Sequence, residues 1–352
     1  MINRRIIRIN AIQNLYIFYI CEIVNKKLAI EKINFNKIKI NNFIIEKKMV
    51  LKDFFNLLKN SNYKIKNVYF KQRIINSVDI YKKNLSINFN NLKNNLLLNI
   101  NKIYNISFLI LNIIILWYKL TKKIINKNFS LFFYFENKVY QNLKNNIFFS
   151  NIIKKDFFIN NINFFKDSYI YFLKNNKYFN KKIIFNNYKD NKDYKILLYL
   201  INQIIFKNKI IEDFFKKLDI RWLENKAIIY NILLSSIKSY KKKSFLLFNQ
   251  NINLVSLENF YFNLIFKTIR EKKKYDYFIF KVLTNWSIHC ISIIDKITIR
   301  TAICEMKNFN KIPVNVSINE YIDISKIYSS LKSSKFINGV LDSILTRFNK
   351  NF

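Results

Sequence analysis

The stretch that decides the reading of this chain runs Ile312-Pro-Val-Asn-Val-Ser-Ile-Asn-Glu-Tyr-Ile-Asp-Ile-Ser-Lys326. It continues after a short gap as Lys332-Ser-Ser-Lys-Phe-Ile-Asn-Gly-Val-Leu-Asp-Ser-Ile-Leu345. The chain's one proline, Pro313, and its one glycine, Gly339, both lie in it. A proline lacks a backbone donor and disfavours helix in the residue before it, so a preceding helix should be left at Ile312. Ser317 and Glu320 have the Ser-x-x-Glu spacing of a capping box, which predicts a helix from Ile318 to about Ser329. A second helix is expected from Ser333 or Ser334, because Phe336, Ile337, Val340, Leu341, Ile344, Leu345 and Phe348 repeat with helical period. A glycine inside that stripe costs about 1 kcal/mol relative to alanine. Either a ligand or backbone pressing close, or ordinary tight helix packing, accounts for it.

These residues closely resemble the C-terminal signature of the NusB family of bacterial transcription antitermination factors. Ile294-Asp-Lys-Ile-Thr-Ile-Arg-Thr-Ala-Ile-Cys-Glu305 is similar to that family's penultimate core helix, and Arg4-Arg-Ile-Ile-Arg-Ile-Asn-Ala-Ile-Gln-Asn-Leu-Tyr16 to its first helix. The length suits a longer form of the family, with extra helices between the first helix and the C-terminal core. The resemblance implies an all-α, NusB-like bundle of two helical subdomains with an enlarged helical insertion. The expected division is a first helix in residues 1–25, a low-complexity helical insertion in 26–200 and a C-terminal core in 201–352.

The resemblance further implies binding of a boxA-like single-stranded element of ribosomal RNA transcripts. Arg4, Arg5 and Arg8 would contact phosphates and base edges, with Lys332, Ser334, Lys335 and Phe336 lining the other side of the path. Guanidinium forks suit phosphate, and an aromatic ring can stack an unpaired base. Two departures stand out: Ile6 occupies a position that is often basic in the family, and Ser and Lys stand where acidic or His residues begin its last helix. The family's partner is NusE, a small-subunit ribosomal protein, within an RNA polymerase complex that includes NusA and NusG. Tyr16 and Asp295 match its partner-binding positions. Each also has a structural explanation, Tyr16 as a core aromatic and Asp295 as the third residue of a helix begun at Ser292.

Composition bounds these expectations. The 352 residues include 61 Lys and Arg against 22 Asp and Glu, a net charge of +39. Such an excess favours a polyanionic partner, although a coding bias towards Lys and Asn raises it throughout. Half the residues are hydrophobic, including 35 Phe and 22 Tyr, which excludes a disordered tail. Cys21, Cys290 and Cys304 share no metal or redox spacing and fit a reducing cytoplasm. The single histidine, His289, adjoins Cys290, but adjacent residues face different sides of a helix. One glycine cannot build a phosphate-cradling loop or a dinucleotide fingerprint, so no catalytic constellation and no cofactor are expected.

Along the chain, Arg4–Ile20 reads as a helix with Ile7, Ala11, Leu15 and Phe18 facing inward. Its basic first turns oppose the helix dipole, and they also describe an organelle transit peptide, the second reading. Residues 26–91 read as a loose insertion with a helix near Met49–Lys59. Leu92–Leu120 reads as a buried central helix, its uncharged run being shorter than the ~20 residues of a membrane span. Aromatics in Phe129–Tyr188 serve either as core or as stacking platforms. Helices are expected over Lys195–Ile211, Asp213–Lys217, Lys226–Tyr240, Glu258–Ile269 and Tyr275–Leu283. Two other function classes remain: a generic ribosome-assembly RNA binder, and a relative of the NusB-like domain that begins some ribosomal RNA cytosine methyltransferases.

Overall fold

The computed structural model describes residues 4–33, 43–124, 160–175, 192–240, 251–283 and 290–348. Among them it is all-α: α1 (Arg4–Glu31), α2 (Phe43–Lys59), α3 (Lys71–Ile124), α4 (Ile162–Asn175), α5 (Lys192–Asn202), α6 (Lys209–Leu218), α7 (Trp222–Tyr240), α8 (Asn251–Arg270), α9 (Lys272–Val282), α10 (Ile293–Asn308), α11 (Val314–Tyr328) and α12 (Leu331–Phe348). One π-helical turn, Gln203–Lys207, separates α5 from α6. Most of the aromatic stretch Phe129–Tyr188, and His289, lie outside the described residues.

The chain forms two units. One comprises Asn3–Leu96 with Asn253–Phe352, and the other is chiefly Leu97–Ile252. In the first, α10 is the central element: every residue from Ile297 to Met306 is buried. A helix apolar or packed on all sides belongs in a core, and α10 is contacted by α1, α9, α11 and α12. Ser292 starts it as expected, its hydroxyl accepting from the Asp295 N–H at 3.1 Å. The expected inward row of α1, Ile7, Ala11, Leu15 and Phe18, is buried, and Ile6, Arg8 and Ile12 join it. Asn14 donates to the Tyr261 hydroxyl at 2.6 Å, which donates in turn to the Leu92 carbonyl at 3.0 Å, so α1, α8 and α3 are pinned together.

Several boundaries differ from expectation. The helix α11 starts at Val314, directly after Pro313, rather than at Ile318. Ser317 is no cap: its hydroxyl donates to Glu305 at 2.6 Å, and Glu320 turns towards arginines. A tertiary partner has thus claimed the residue that a local rule would place at the helix end. The last helix starts at Leu331, because Ser330 accepts from the Ser333 N–H at 3.3 Å and acts as its cap. Residues 43–59 and 63–85 are not loose. Ala29, Ile33, Val50, Phe54, Leu57, Phe70, Ile74, Val78 and Tyr81 close into a hydrophobic cluster between α1, α2 and α3.

In the second unit Trp117 stacks on Phe172 with ring centroids 4.9 Å apart and donates to the Phe165 carbonyl at 3.3 Å. The expected single helix over Lys195–Ile211 is broken at Asn208, whose side chain accepts from Ile211 N–H at 3.1 Å and opens α6. Within α3, Lys71–Trp117 contains an 18-residue window of mean hydropathy 1.6, long and apolar enough to cross a membrane by length and composition. Two-thirds (67 %) of that window is buried inside the protein, as in a core helix.

Gly339 is not explained by tight packing: a Cβ built there would meet nothing within 4 Å. Gly339→Ala should therefore raise stability by up to about 1 kcal/mol, through better helix propensity and a less flexible unfolded chain. A higher urea midpoint for the variant checks this.

Candidate functional site

Arg5 and Arg8 of α1 reach acidic residues of α11, on which α12 also packs. Arg8 does not reach the surface. It is 3 % exposed, and its Nε and one terminal nitrogen donate to the two carboxylate oxygens of Glu305 at 2.8 and 2.7 Å. Glu305, on α10 and fully buried, also accepts from Ser317 at 2.6 Å and from the Tyr321 hydroxyl at 2.9 Å. Four donors therefore satisfy one buried carboxylate. Burial alone would lower the Arg8 pKa, but the bond and charge of Glu305 outweigh it and hold the guanidinium above its ordinary value. The Tyr321 hydroxyl, pushed well up by burial and then by Glu305, stays a proton donor. The expectation that Arg8 meets phosphate is met by a different placement: its fork is occupied within the core.

Arg4 and Arg5 are placed differently. Arg4 is exposed, its guanidinium 5.8 Å from the Phe260 ring centroid. Arg5 is half-exposed and reaches Asp323 at 3.4 Å and Glu320 at 4.0 Å, both on α11. The Asp323 carboxyl is lowered below its ordinary value, first by the hydrogen bond from Lys326 and then by the charges of Lys326 and Arg5.

On α12, Lys332, Lys335 and Gly339 are exposed, Phe336 is half-buried and Ser334 is buried. The spacing 332, 335/336, 339 puts one helical face behind the basic pair. No hydrogen bond or ion pair within the described residues joins Arg4, Arg5 or Arg8 to Lys332, Lys335 or Phe336; Arg5 and Arg8 each reach an acidic residue of α11, and α12 packs on the same helix. Gln13 donates to the Tyr328 hydroxyl at 2.9 Å, which sets α1 alongside α11 with Arg5 about 12 Å from that end at 1.5 Å per residue.

The two residues of the partner-site expectation differ in exposure. Tyr16 is exposed, one turn beyond Gln13. Asp295 is 6 % exposed, and its carboxylate accepts from Ser329 at 2.6 Å and Ser333 at 3.1 Å. It therefore ties the start of α10 to the corner that carries Lys332. Sequence reasoning missed this link, and it missed Glu305; a lone acid between apolar residues in Ile303-Cys-Glu-Met306 was the available signal. Cys21, Cys290 and Cys304 are free thiols, and no cluster of three potential metal ligands occurs among the described residues.

Comparison with known proteins adds the family to this geometry. Residues 227–346 match the NusB family. That stretch takes in most of α7 and all of α8–α11, with α12 as far as Thr346. A "transcription antitermination protein NusB" of Chloroherpeton thalassium is 43 % identical over 89 residues, 25 % of this chain and 42 % of the relative. That of Bacillus mycoides is 42 % identical over 82 residues, 23 % of this chain and 63 % of its own length. That of Salinibacter ruber is 39 % identical over 90 residues, 26 % of this chain and 56 % of the relative. The chain thus spans about half the length of the curated NusB relatives it matches. No solved structure matches it.

Replacing Arg8 by Ala leaves the Glu305 carboxylate buried without its cation and should cost about 3–5 kcal/mol. Arg8→Lys should recover only part of this, since an ammonium cannot form the paired fork. Urea midpoints of the two variants measure both effects.

Proposed function

We propose that this chain is a non-catalytic RNA-binding antitermination factor. It acts in the cytoplasm on a boxA-like unpaired element of ribosomal RNA leaders, together with NusE, in an RNA polymerase complex with NusA and NusG. The observation that carries the reading is the NusB match over residues 227–346, on helices whose last member presents Lys332 and Lys335 to solvent. Exposed Arg4 and half-exposed Arg5 on α1 add cations, and Phe336 supplies a ring for stacking. In this reading Arg8 and Ser334 are scaffold for the path, not contacts. Tyr16 and the Asp295-held corner form the NusE side, with Asp295 acting through the Ser329 and Ser333 hydroxyls it fixes.

Cations at phosphates set affinity and its salt dependence, whereas discrimination requires positioned contacts. Lys332→Gln and Lys335→Gln should each lower the slope of log affinity against log salt by about 0.7, the single-strand value per phosphate contact. Arg8→Lys, where it folds, should leave that slope unchanged. A boxA-like RNA should bind more tightly than its scrambled counterpart at fixed salt; equal affinities would leave a generic ribosome-assembly binder. Gly339→Ala, which stabilises the free protein, should weaken boxA-like RNA if the strand lies against this face, and the two effects are read in one pair of titrations.

A further inference from the structure

Outside the stretch that matches NusB, residues 60–70 form a loop with more internal order than its lack of regular structure suggests. Asp53 of α2 is 2 % exposed. One of its oxygens accepts from the Tyr63 hydroxyl at 2.8 Å, and the other from the backbone N–H groups of Lys66 and Asn67 at 3.0 and 2.9 Å. A single buried carboxylate therefore fixes three points of the loop. The Asn67 side chain then accepts from the Phe70 N–H at 3.2 Å and closes the turn that leads into α3, and the Phe70 ring is buried in the cluster with Phe54 and Ile74. Both ends of the loop are anchored.

What the loop holds outward is chemically specific. Tyr69 is 70 % exposed, more than any other described aromatic among the large exposed side chains, and Val68 beside it is 80 % exposed. Lys59, Lys64, Lys66 and Lys71, in the same stretch of chain, are exposed and form no ion pair with a described residue. No Asp or Glu occurs from residue 54 to residue 78. The Tyr69 ring lies edge-on to the buried Phe70, centroids 5.0 Å apart, and leaves most of its surface to water. With the exposed Lys64, Lys66 and Lys71 close by in sequence, it suits an unpaired strand, whose bases stack and whose phosphates are anionic. A stretch this rich in lysine and free of acids is poorly suited to the core of a protein interface, which is depleted in charged residues.

We propose that this loop is a second contact for unpaired RNA: Tyr69 stacks on a base, and Lys64, Lys66 and Lys71 meet the adjoining phosphates. It rests on the reading of the chain as an RNA binder but not on the α1–α12 path. Its preference is for single strands rather than for a sequence, since every base offers a π-face. Asp53 is a positioning residue that acts through the loop backbone.

The test uses the full chain with two probes at fixed salt, oligouridylate of about 20 nucleotides and a boxA-like RNA. Tyr69→Ala should weaken oligouridylate by about 5- to 150-fold, the range of a lost base–aromatic stack, and Tyr69→Phe should retain binding. Lys64→Gln with Lys66→Gln should lower the salt slope by about 1.4. Ultraviolet cross-linking of the unmodified chain should map to Tyr69. Unchanged affinity and salt slope in these variants, or cross-links that avoid the loop, would overturn the proposal, as would loss of RNA binding in Tyr69→Ala that Tyr69→Phe does not rescue. Arg5→Ala with Lys335→Ala separates the two readings: if it leaves boxA discrimination intact while Tyr69→Ala still weakens oligouridylate, the loop stands and the α1–α12 path falls.

Discussion

One buried ion pair holds the two ends of this chain together. Arg8 lies in the second turn of the first helix, and Glu305 lies 297 residues later in the most buried helix. A carboxylate taken out of water is tolerable only when its lone pairs are filled, and here a guanidinium fork, a serine and a tyrosine fill them. Ser317 and Tyr321 belong to α11, so the same group also fixes α11 against α10. The position of α11 then governs both flanks of the candidate interface, because Arg5 rests on its middle and α12 folds back from its end.

The second constraint is at the α11–α12 corner. There Asp295 accepts two serine hydroxyls while its own N–H completes the cap of α10. Helix start and corner are joined through one side chain, so a residue that family resemblance would assign to a partner acts first on the geometry of Lys332. The residues outside the NusB match use the same device. A buried aspartate, Asp53, orders a loop by accepting from two backbone N–H groups and a tyrosine. In each case a carboxylate is buried where donors saturate it, and charged or aromatic side chains nearby are left facing water.

Much of the fold was legible because periodicity and caps are local. The inward row of α1, the Ser292 cap, the end of α11 at Ser329 and the all-α class follow from spacing within a few residues. What failed was local reading of side chains with distant partners. Ser317 and Glu320 have the spacing of a capping box, yet Glu305 and Arg8 claim them. Asn208 broke a continuous apolar run, and the cluster around Phe54 turned a lysine- and asparagine-rich segment into ordered helices. At the candidate site, exposed Lys332 and Lys335 were legible from the resemblance, whereas the burial of Arg8 was not, since nothing in Arg4-Arg-Ile-Ile-Arg8 separates an arginine that meets solvent from one that meets Glu305.

The amino-acid sequence by itself determined that the chain is helical, that it is strongly basic, that one glycine cannot build a nucleotide loop, and where most helices lie. These follow from short-range sterics and hydrogen bonding, which a few neighbouring residues settle. Only the tertiary structure decided that Arg8 is buried on Glu305 while Arg4 is exposed, what Asp295 and Asp53 hold, and that Gly339 and most of Tyr69 are left to water. Each depends on desolvation, and whether a charge or a ring loses its water is set by residues far away in the chain.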